Sequence, residues 1–400
     1  MSASRRRRLL LLLALGLAVL LGWTTLQRIE PRALVPPDAL LAQALPGEEG
    51  RPDAATQEMR RLYATRPMAE HRPIGPEVQT MHIGLFVTDN YSIDLSVPMY
   101  ASEGMLWARW SPALQAQFEA AGMDARNLFT FINSVEGWDS SFNPVGDAPL
   151  QLANGDYYQL YNFANKFAIN HLGLHHFPFQ RMHLPIQLEI NDESKRFRFG
   201  NLRLIPDHND SGIGSAIDIN GFLTRQWSIG EFRHEYASDF GLRSDGDRQH
   251  QHDSYSQILF DVAYARSVKA SIWSLFQPLL VVLAIVILSP SLSSRLWEVR
   301  IALPATAVLT LVFLQGSYRS VLPQLPYLTF IDRIYSLAYG ICLACFALYV
   351  WAANRVNHTP ADASAEQRAA IERQINRVDQ HFQLLCLLVL SFGSLLCWLL

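Results

Sequence analysis

Apolar residues fall into two rhythms along this chain, and the change comes near residue 265. From His82 the stretch MHIGLFVTDNYSIDLSVPMYASEGMLWARW alternates apolar and polar positions, split at Asp89-Asn90 and again at Ser96–Pro98. A period of two turns one face of a strand inward and leaves the other polar. The same rhythm predicts strands at Asp156–Phe163, His183–Ile190, Ser194–Leu204, Phe222–Glu235 and Tyr255–Ala265, punctuated by turn residues at GDY, NDE, DHNDSG and RSDGDRQ. Short strands with repeated turn signals predict an antiparallel β-sandwich, not alternating β-α units. Ahead of it, residues 29–77 are rich in Pro and charge and read as a lead-in segment with one helix around Ala54–Tyr63.

Beyond residue 265 come four long apolar runs, Ser271–Leu288, Val299–Ser317, Ile334–Trp351 and Phe382–Leu400. Each is close to the roughly 20 residues a helix needs to cross a bilayer. As core helices of a soluble domain they would leave almost no surface. The connections are short except Ala352–Gln380, an amphipathic stretch whose Arg355, Arg368, Arg373 and Arg377 favour the cytoplasmic side. The chain opens with four arginines and an apolar run from Leu9 to Trp23, either a signal peptide or an uncleaved anchor. In both cases the arginines stay inside and the sandwich is exported.

Composition sharpens this division. Of 400 residues 50% are hydrophobic and only 17% charged, against about a quarter charged in soluble domains. Residues 30–265 hold 30 Asp and Glu against 18 Lys and Arg, a net of −12, whereas residues 266–400 hold 6 acids against 10 bases. A net negative exported body excludes a nucleic-acid partner. All four cysteines, Cys342, Cys345, Cys386 and Cys397, fall in the apolar runs, so the sandwich must be held by its own core. Cys342-x-x-Cys345 inside a lipid-embedded helix reads as packing. No G-x-S-x-G elbow, phosphate loop or H-E-x-x-H is present. His171 and His175 have i, i+4 spacing, with His176 and His183 close by, but Pro178 breaks any helix there. No enzymatic activity, metal or cofactor is expected.

A sandwich followed directly by four membrane helices resembles a subunit of the pentameric ligand-gated ion channels, in their prokaryotic form. Arg266 closes the last strand, and Pro278 follows twelve residues later in the first membrane helix, a spacing found in prokaryotic members. LPQLPYLT (Leu322–Thr329) resembles the Leu-Pro-x-x-x-Tyr-Leu-Thr connection between the second and third helices. HHFPFQ (His175–Gln180) resembles the aromatic-Pro-Phe-Asp turn facing the membrane, with Gln180 at the Asp position and no flanking cysteine pair. IGLFVTDNYSIDLS through Trp110 resembles the first two strands and their tryptophan, and FLTRQWSIGEF around Trp227 a later strand. The likeness covers most of residues 75–353.

The resemblance implies a homopentamer in a bacterial inner membrane, with the sandwich as a periplasmic ligand domain above a pore for monovalent cations. It divides the chain into residues 1–28 (signal or anchor), 29–77 (lead-in), 78–266 (sandwich), 267–353 (three helices, the pore helix being 298–318), 354–380 (cytoplasmic) and 381–400 (fourth helix). Counting back from Leu322, Glu298, Ala302, Thr306, Leu309, Phe313 and Gly316 or Ser317 share one helix face. Periodicity alone suits ordinary helix packing for this face; the resemblance assigns it to the pore. Leu309 and Phe313 would then form apolar rings that close by dewetting, and Glu298 a carboxylate ring that concentrates cations. Arg300 would offset that field unless it points away, as basic residues near this position in the family usually do. Pro304 predicts a bend that alters the inner pore radius.

By the same resemblance agonists bind between neighbouring sandwiches. Candidate aromatics are Phe129 and Phe131 in NLFTFINSVEGW, and Tyr236 and Phe240 before the last strand. Their rings suit a cationic amine, or else simply pack the core. His250 and His252 in ASDFGLRSDGDRQHQHDS make proton sensing a further expectation, one that currents unaffected between about pH 4 and 8 would sink. Coupling to the pore should run from Phe177, Pro178 and Phe179 to the Leu322–Tyr327 link, with Arg266 at the covalent junction. On the plainer reading Pro323 and Pro326 only end a helix. The competing class of function is a non-conducting membrane receptor or accessory protein that binds through the same sandwich.

Overall fold

The computed structural model describes residues 66–67, 78–169, 172–190, 202–215, 217, 219, 221–236, 253–360 and 364–399. In chain order the strands are β1 Arg66–Pro67, β2 Gln79–Asp94, β3 Met99–Trp110, β4 Phe129–Phe131, β5 Ser134–Val135, β6 Ser141–Pro144 and β7 Leu150–Gln151. They continue with β8 Tyr157–Ala168, β9 Arg181–Ile190, β10 Leu202–Pro206, β11 Gly212–Ile213, β12 Phe222–Tyr236 and β13 Asp253–Arg266. One sheet runs β1-β12-β13-β9-β4; the other runs β10-β2-β3-β8-β5, with β11 on β2 and both β6 and β7 on β8.

The alternation seen in the sequence builds the core between these sheets. Met81, Ile83, Leu85 and Val87 of β2 meet Leu184, Ile186 and Leu188 of β9 and Ile258, Phe260 and Val262 of β13 in one buried cluster. Each such side chain contributes about 1.5–3 kcal/mol by leaving water. At Asp89-Asn90, where the sequence reads as a break, a β-bulge between Val87 and Asp89 keeps β2 continuous to Asp94. The extra residue shifts the inward phase, so Asn90 is only 3% exposed. The sandwich is also not purely antiparallel, because β10 and β11 pair with β2 in parallel. These strands lie far apart in sequence and need no tight turn, which removes the bar to parallel pairing.

A helix that the period-two reading passed over, α1 (Pro112–Ala121), bridges β3 and β4. Ser111 caps it by accepting from Leu114 N at 3.3 Å, and Gly122 ends it at φ 62°, where a side chain would be strained. Leu114 and Phe118 pin it to the core. In the lead-in, Arg66–Pro67 pairs with Arg233 and Phe232 of β12. The expected helix at Ala54–Tyr63, the apolar run of residues 1–28 and the rest of the lead-in lie outside the described residues.

Four helices long and apolar enough to cross a membrane follow: α2 Val268–Ser291, α3 Trp297–Arg319, α4 Phe330–Asn357 and α5 Ala365–Leu399. The chain is a multi-pass membrane protein with a sheet-rich domain ahead of its spans. α2 takes a π-helical turn at Ile272–Phe276 just before Pro278. α3 runs unbroken through Pro304. Thr329 and Asp332 close a capping box at the start of α4, Thr329 N donating to Asp332 Oδ2 at 3.1 Å and Asp332 N to Thr329 Oγ1 at 3.3 Å. One expectation needs correcting: the amphipathic stretch ending at Gln380 and the last apolar run are not separate elements. They form one 35-residue helix, α5, about 52 Å long at 1.5 Å per residue. A bilayer core is about 30 Å thick, so the charged first turns extend beyond it. Leu279, Leu283 and Val286 of α2, Ala307 and Leu311 of α3, and Ala338, Cys342 and Cys345 of α4 pack into one core with Cys386 of α5.

Candidate pore face, membrane junction and ligand cavity

α3 has two unlike faces. Arg300, Pro304, Ala307, Leu311 and Tyr318 are buried against the bundle. Glu298, Ala302, Thr306, Leu309, Phe313, Gly316 and Ser317, the stripe that the resemblance assigns to the pore, are all exposed on the single chain. Leu309 is 57% and Phe313 70% exposed, so packing within the chain does not explain them. Nor does this stripe match the uniformly apolar exposed surface along the C-terminal half of α5, which includes Leu384, Leu385, Leu388, Phe392, Leu395 and Leu396. A stripe holding a carboxylate and hydroxyls would be costly against lipid. The Thr306 hydroxyl donates to Ala302 O at 2.9 Å, which turns its oxygen lone pairs outward, the polarity a cation prefers.

Arg300 resolves the ambiguity left by its closeness to Glu298. It is 1% exposed, lies on the opposite side from the stripe, and pairs through Nη2 with Asp379 Oδ1 of α5 at 2.7 Å. Its guanidinium also sits 4.5 Å above the Tyr349 ring of α4, and the Tyr349 hydroxyl hydrogen-bonds Ser289 at the end of α2. All four helices therefore meet at one polar knot. Asp379 was missed from sequence, where it reads as one more charge in an amphipathic stretch. The available signal was its position on the Ile375, Asp379, Cys386 seam, the three buried residues of α5.

Where the sandwich meets the helices, Phe177 is buried with the helix-bundle core and the Arg266 guanidinium lies 5.9 Å over its ring. Burial pushes the Arg266 pKa down from its ordinary value. Pro178 is buried too. Phe179 stacks on Phe276 of α2 at 5.7 Å, and its ring also meets Phe330 of α4 and Trp398 of α5. Tyr327, in the α3–α4 link, stacks on His175 at 3.9 Å; its hydroxyl donates to Leu172 O at 3.1 Å and accepts from Leu174 N at 3.2 Å. The Phe330 N–H completes the clasp on His175 O at 2.7 Å. Pro323 is half-buried and Pro326 exposed in the same link, beyond the helix end at Arg319. Gln180 keeps a buried Oε1 with no partner among the described residues. If the chain forms a ligand-gated channel and the Tyr327 contacts carry its movement, Tyr327→Ala should slow or abolish evoked current while leaving surface expression intact; unchanged dose-response curves would reduce the link to a helix terminator.

A third feature lies at the side of the sandwich. Between edge strand β4 of one sheet and β5 and β6 of the other opens a cavity of about 370 Å³. Phe129 and Phe131 line it, with Phe142 set edge-on to Phe131 at 5.4 Å. Tyr236 ends β12, its side chain outside the described residues, as are Phe240, His250 and His252. Behind the rings, Asn165 of β8 faces inward opposite Ser102 of β3, which in turn lies opposite Asn90 of β2. This buried polar row crosses an otherwise apolar core, at 6%, 0% and 3% exposure. On the outer side of β8, Lys166 is paired with Glu136 and, at 2.9 Å, with Asp139. Those hydrogen bonds, Glu136 first, push its pKa up to about 12.

No family model matches the chain, and no curated protein matches it. The functional reading therefore rests on the geometry above and on the motifs in the sequence.

Proposed function

We propose that the protein is a subunit of a homopentameric, cation-selective channel of the pentameric ligand-gated class, set in a bacterial inner membrane with its sandwich in the periplasm. The observation that carries this reading is the division of α3 into a buried bundle face and an exposed stripe of small, hydroxylated, apolar and acidic residues. Five copies of that stripe around an axis give an aqueous lumen with Glu298 at one mouth and the Leu309 and Phe313 rings further along it. Withdrawal of Arg300 onto Asp379 supports cation preference, since it leaves the Glu298 carboxylate without a facing positive charge on its own helix. A net of −12 over residues 30–265 of each chain would raise the local cation concentration further.

Native mass measurement tests assembly: the purified protein should run at five times the chain mass of 45.2 kDa, and a monomer would count against any pore. In the reconstituted protein Glu298→Ala is expected to lower the potassium-to-chloride permeability ratio several-fold while leaving the assembly intact. A ratio equal to that of the unaltered protein would remove Glu298 from the permeation path.

A further inference from the structure

Charge on α5 is sorted by face. Its two acids nearest the apolar half turn toward the rest of the bundle: Asp379 pairs with Arg300 at 2.7 Å, and Glu372 accepts from Arg295 Nε, in the α2–α3 link, at 2.9 Å. Gln383 reaches the same way, donating to Ile287 O at 3.1 Å and to Ser291 Oγ at 2.8 Å. The bases take the other side. Arg373, Arg377 and His381 follow one another at a spacing of four, all exposed, and neither arginine has a carboxylate partner among the described residues. Arg373 Nε donates to Ala369 O at 3.1 Å, and the His381 Nδ1–H donates to Arg377 O at 2.7 Å, which leaves Nε2 as the open ring nitrogen. The nearest acid on this face, Glu366, lies seven residues before Arg373, about 10 Å along the axis. Toward the C-terminus the same face continues as the exposed side chains of Leu384, Leu385, Leu388, Phe392 and Leu395.

Depth decides what meets these bases. Trp398, at the far end of α5, packs on His176 and Phe179, so the charged start of the helix lies at the end of the bundle away from the sandwich. Phe382–Leu399 rises about 27 Å, close to the roughly 30 Å of a bilayer core, and the polar layer adds about 5–8 Å on each side. Along the axis His381 and Arg377 stand about 1.5 and 7.5 Å beyond Phe382, inside that layer, with Arg373 about 13.5 Å out, just past it. Of the apolar stretch of α5 only 6% is buried within the chain, against 22–39% in the other three helices. Through Asp379 the helix also lies behind α3, on the side away from the exposed stripe, so an assembly around that stripe leaves this face to lipid. The preference for basic residues beside a membrane explains their presence, but not their separation from the acids. We infer that this face is a docking site for an anionic phospholipid of the leaflet remote from the sandwich. Its phosphate lies between Arg377 and His381, Arg373 adds attraction from outside the layer, and its acyl chains run along Leu384, Leu385 and Leu388. An arginine at the surface favours a net-negative headgroup about fivefold. The site depends on the membrane spans and not on the pore.

The test is native mass spectrometry of the purified full-length protein in detergent, with equal amounts of phosphatidylglycerol and phosphatidylcholine added. Phosphatidylglycerol should be retained about fivefold or more in preference. Arg377→Gln should lower that ratio about fivefold, and Arg373→Gln with Arg377→Gln should bring it near one. Both side chains are exposed, so the lipid-free variants should keep the unfolding temperature of the unaltered protein; Arg377→Lys, which keeps the charge, should keep the preference. Arg355→Gln removes a charge from the end of α4, off this face, and should leave the ratio nearly unchanged. Equal retention of the two lipids, a preference that survives the double substitution, or an equal loss in Arg355→Gln would each overturn the assignment. Displacement of the lipid by millimolar glycerol phosphate would also overturn it, by showing a site for a free anion. Phosphatidylglycerol preference in a protein that passes no current counts against the channel alone; current without that preference counts against this site alone.

Discussion

Asp379→Ala is expected to destabilise the helix bundle by about 3–5 kcal/mol, the cost of leaving one member of a buried ion pair alone. Arg300 and Asp379 are 1% and 3% exposed at the side chain and sit 2.7 Å apart. By angle, no Arg300 nitrogen and neither Asp379 oxygen makes a hydrogen bond with a described residue, so the contact is an ion pair held by charge and proximity. Without Asp379 the guanidinium keeps only the Tyr349 ring, at 4.5 Å, as an electrostatic partner. The protein should lose monodispersity in detergent and unfold at a lower temperature, measured by scanning fluorimetry and size-exclusion chromatography. A control separates charge from packing: the double substitution Arg300→Met with Asp379→Leu removes both charges and should recover most of the loss. An Asp379→Ala protein with an unchanged unfolding temperature would show that the pair contributes nothing, and that α5 is held by apolar packing alone.

Phe313→Ser should produce current in the absence of any ligand. Phe313 and Leu309 are the large apolar side chains of the exposed α3 stripe, one helical turn apart. In a fivefold assembly they form adjacent rings, and an apolar constriction expels water before side chains touch. Burying a phenylalanine side chain is worth about 2 kcal/mol by transfer free energy. Replacing five at once therefore shifts the wet–dry balance enough to raise resting conductance by about tenfold or more. Thr306, further down the same stripe and already hydroxylated, should tolerate serine with little change. Whole-cell or liposome flux at rest reads the difference, and an unaltered resting flux in Phe313→Ser would move the gate away from this ring.

Much of this architecture was legible because it depends on local periodicity. The core strands β2, β3, β8, β9, β12 and β13 follow an alternation visible residue by residue, and all four membrane helices overlap the long apolar runs. Boundaries were less legible. α5 continues without a break through a change from charged to apolar composition, since a helix needs continuous backbone hydrogen bonds and not uniform polarity. α1 escaped notice because only Leu114 and Phe118 are buried, although its Ser-Pro start and Gly122 end were in plain view. The α3 stripe came from helical spacing and lies on one exposed face, as that spacing requires. The partners of polar residues were not legible at all. Nothing local links Arg300 with Asp379, and Asn90 joins Ser102 and Asn165 in one inward row only because a bulge changes which β2 side chains face inward.

The most direct measurement is the reversal potential of single-channel currents from the purified protein in a planar bilayer under a potassium chloride gradient. A pore lined by α3 and ringed by Glu298 predicts discrete openings whose reversal potential lies near the potassium equilibrium value and moves toward zero in Glu298→Ala. Absence of unitary current from verified pentamers, or a reversal potential following chloride, would contradict it.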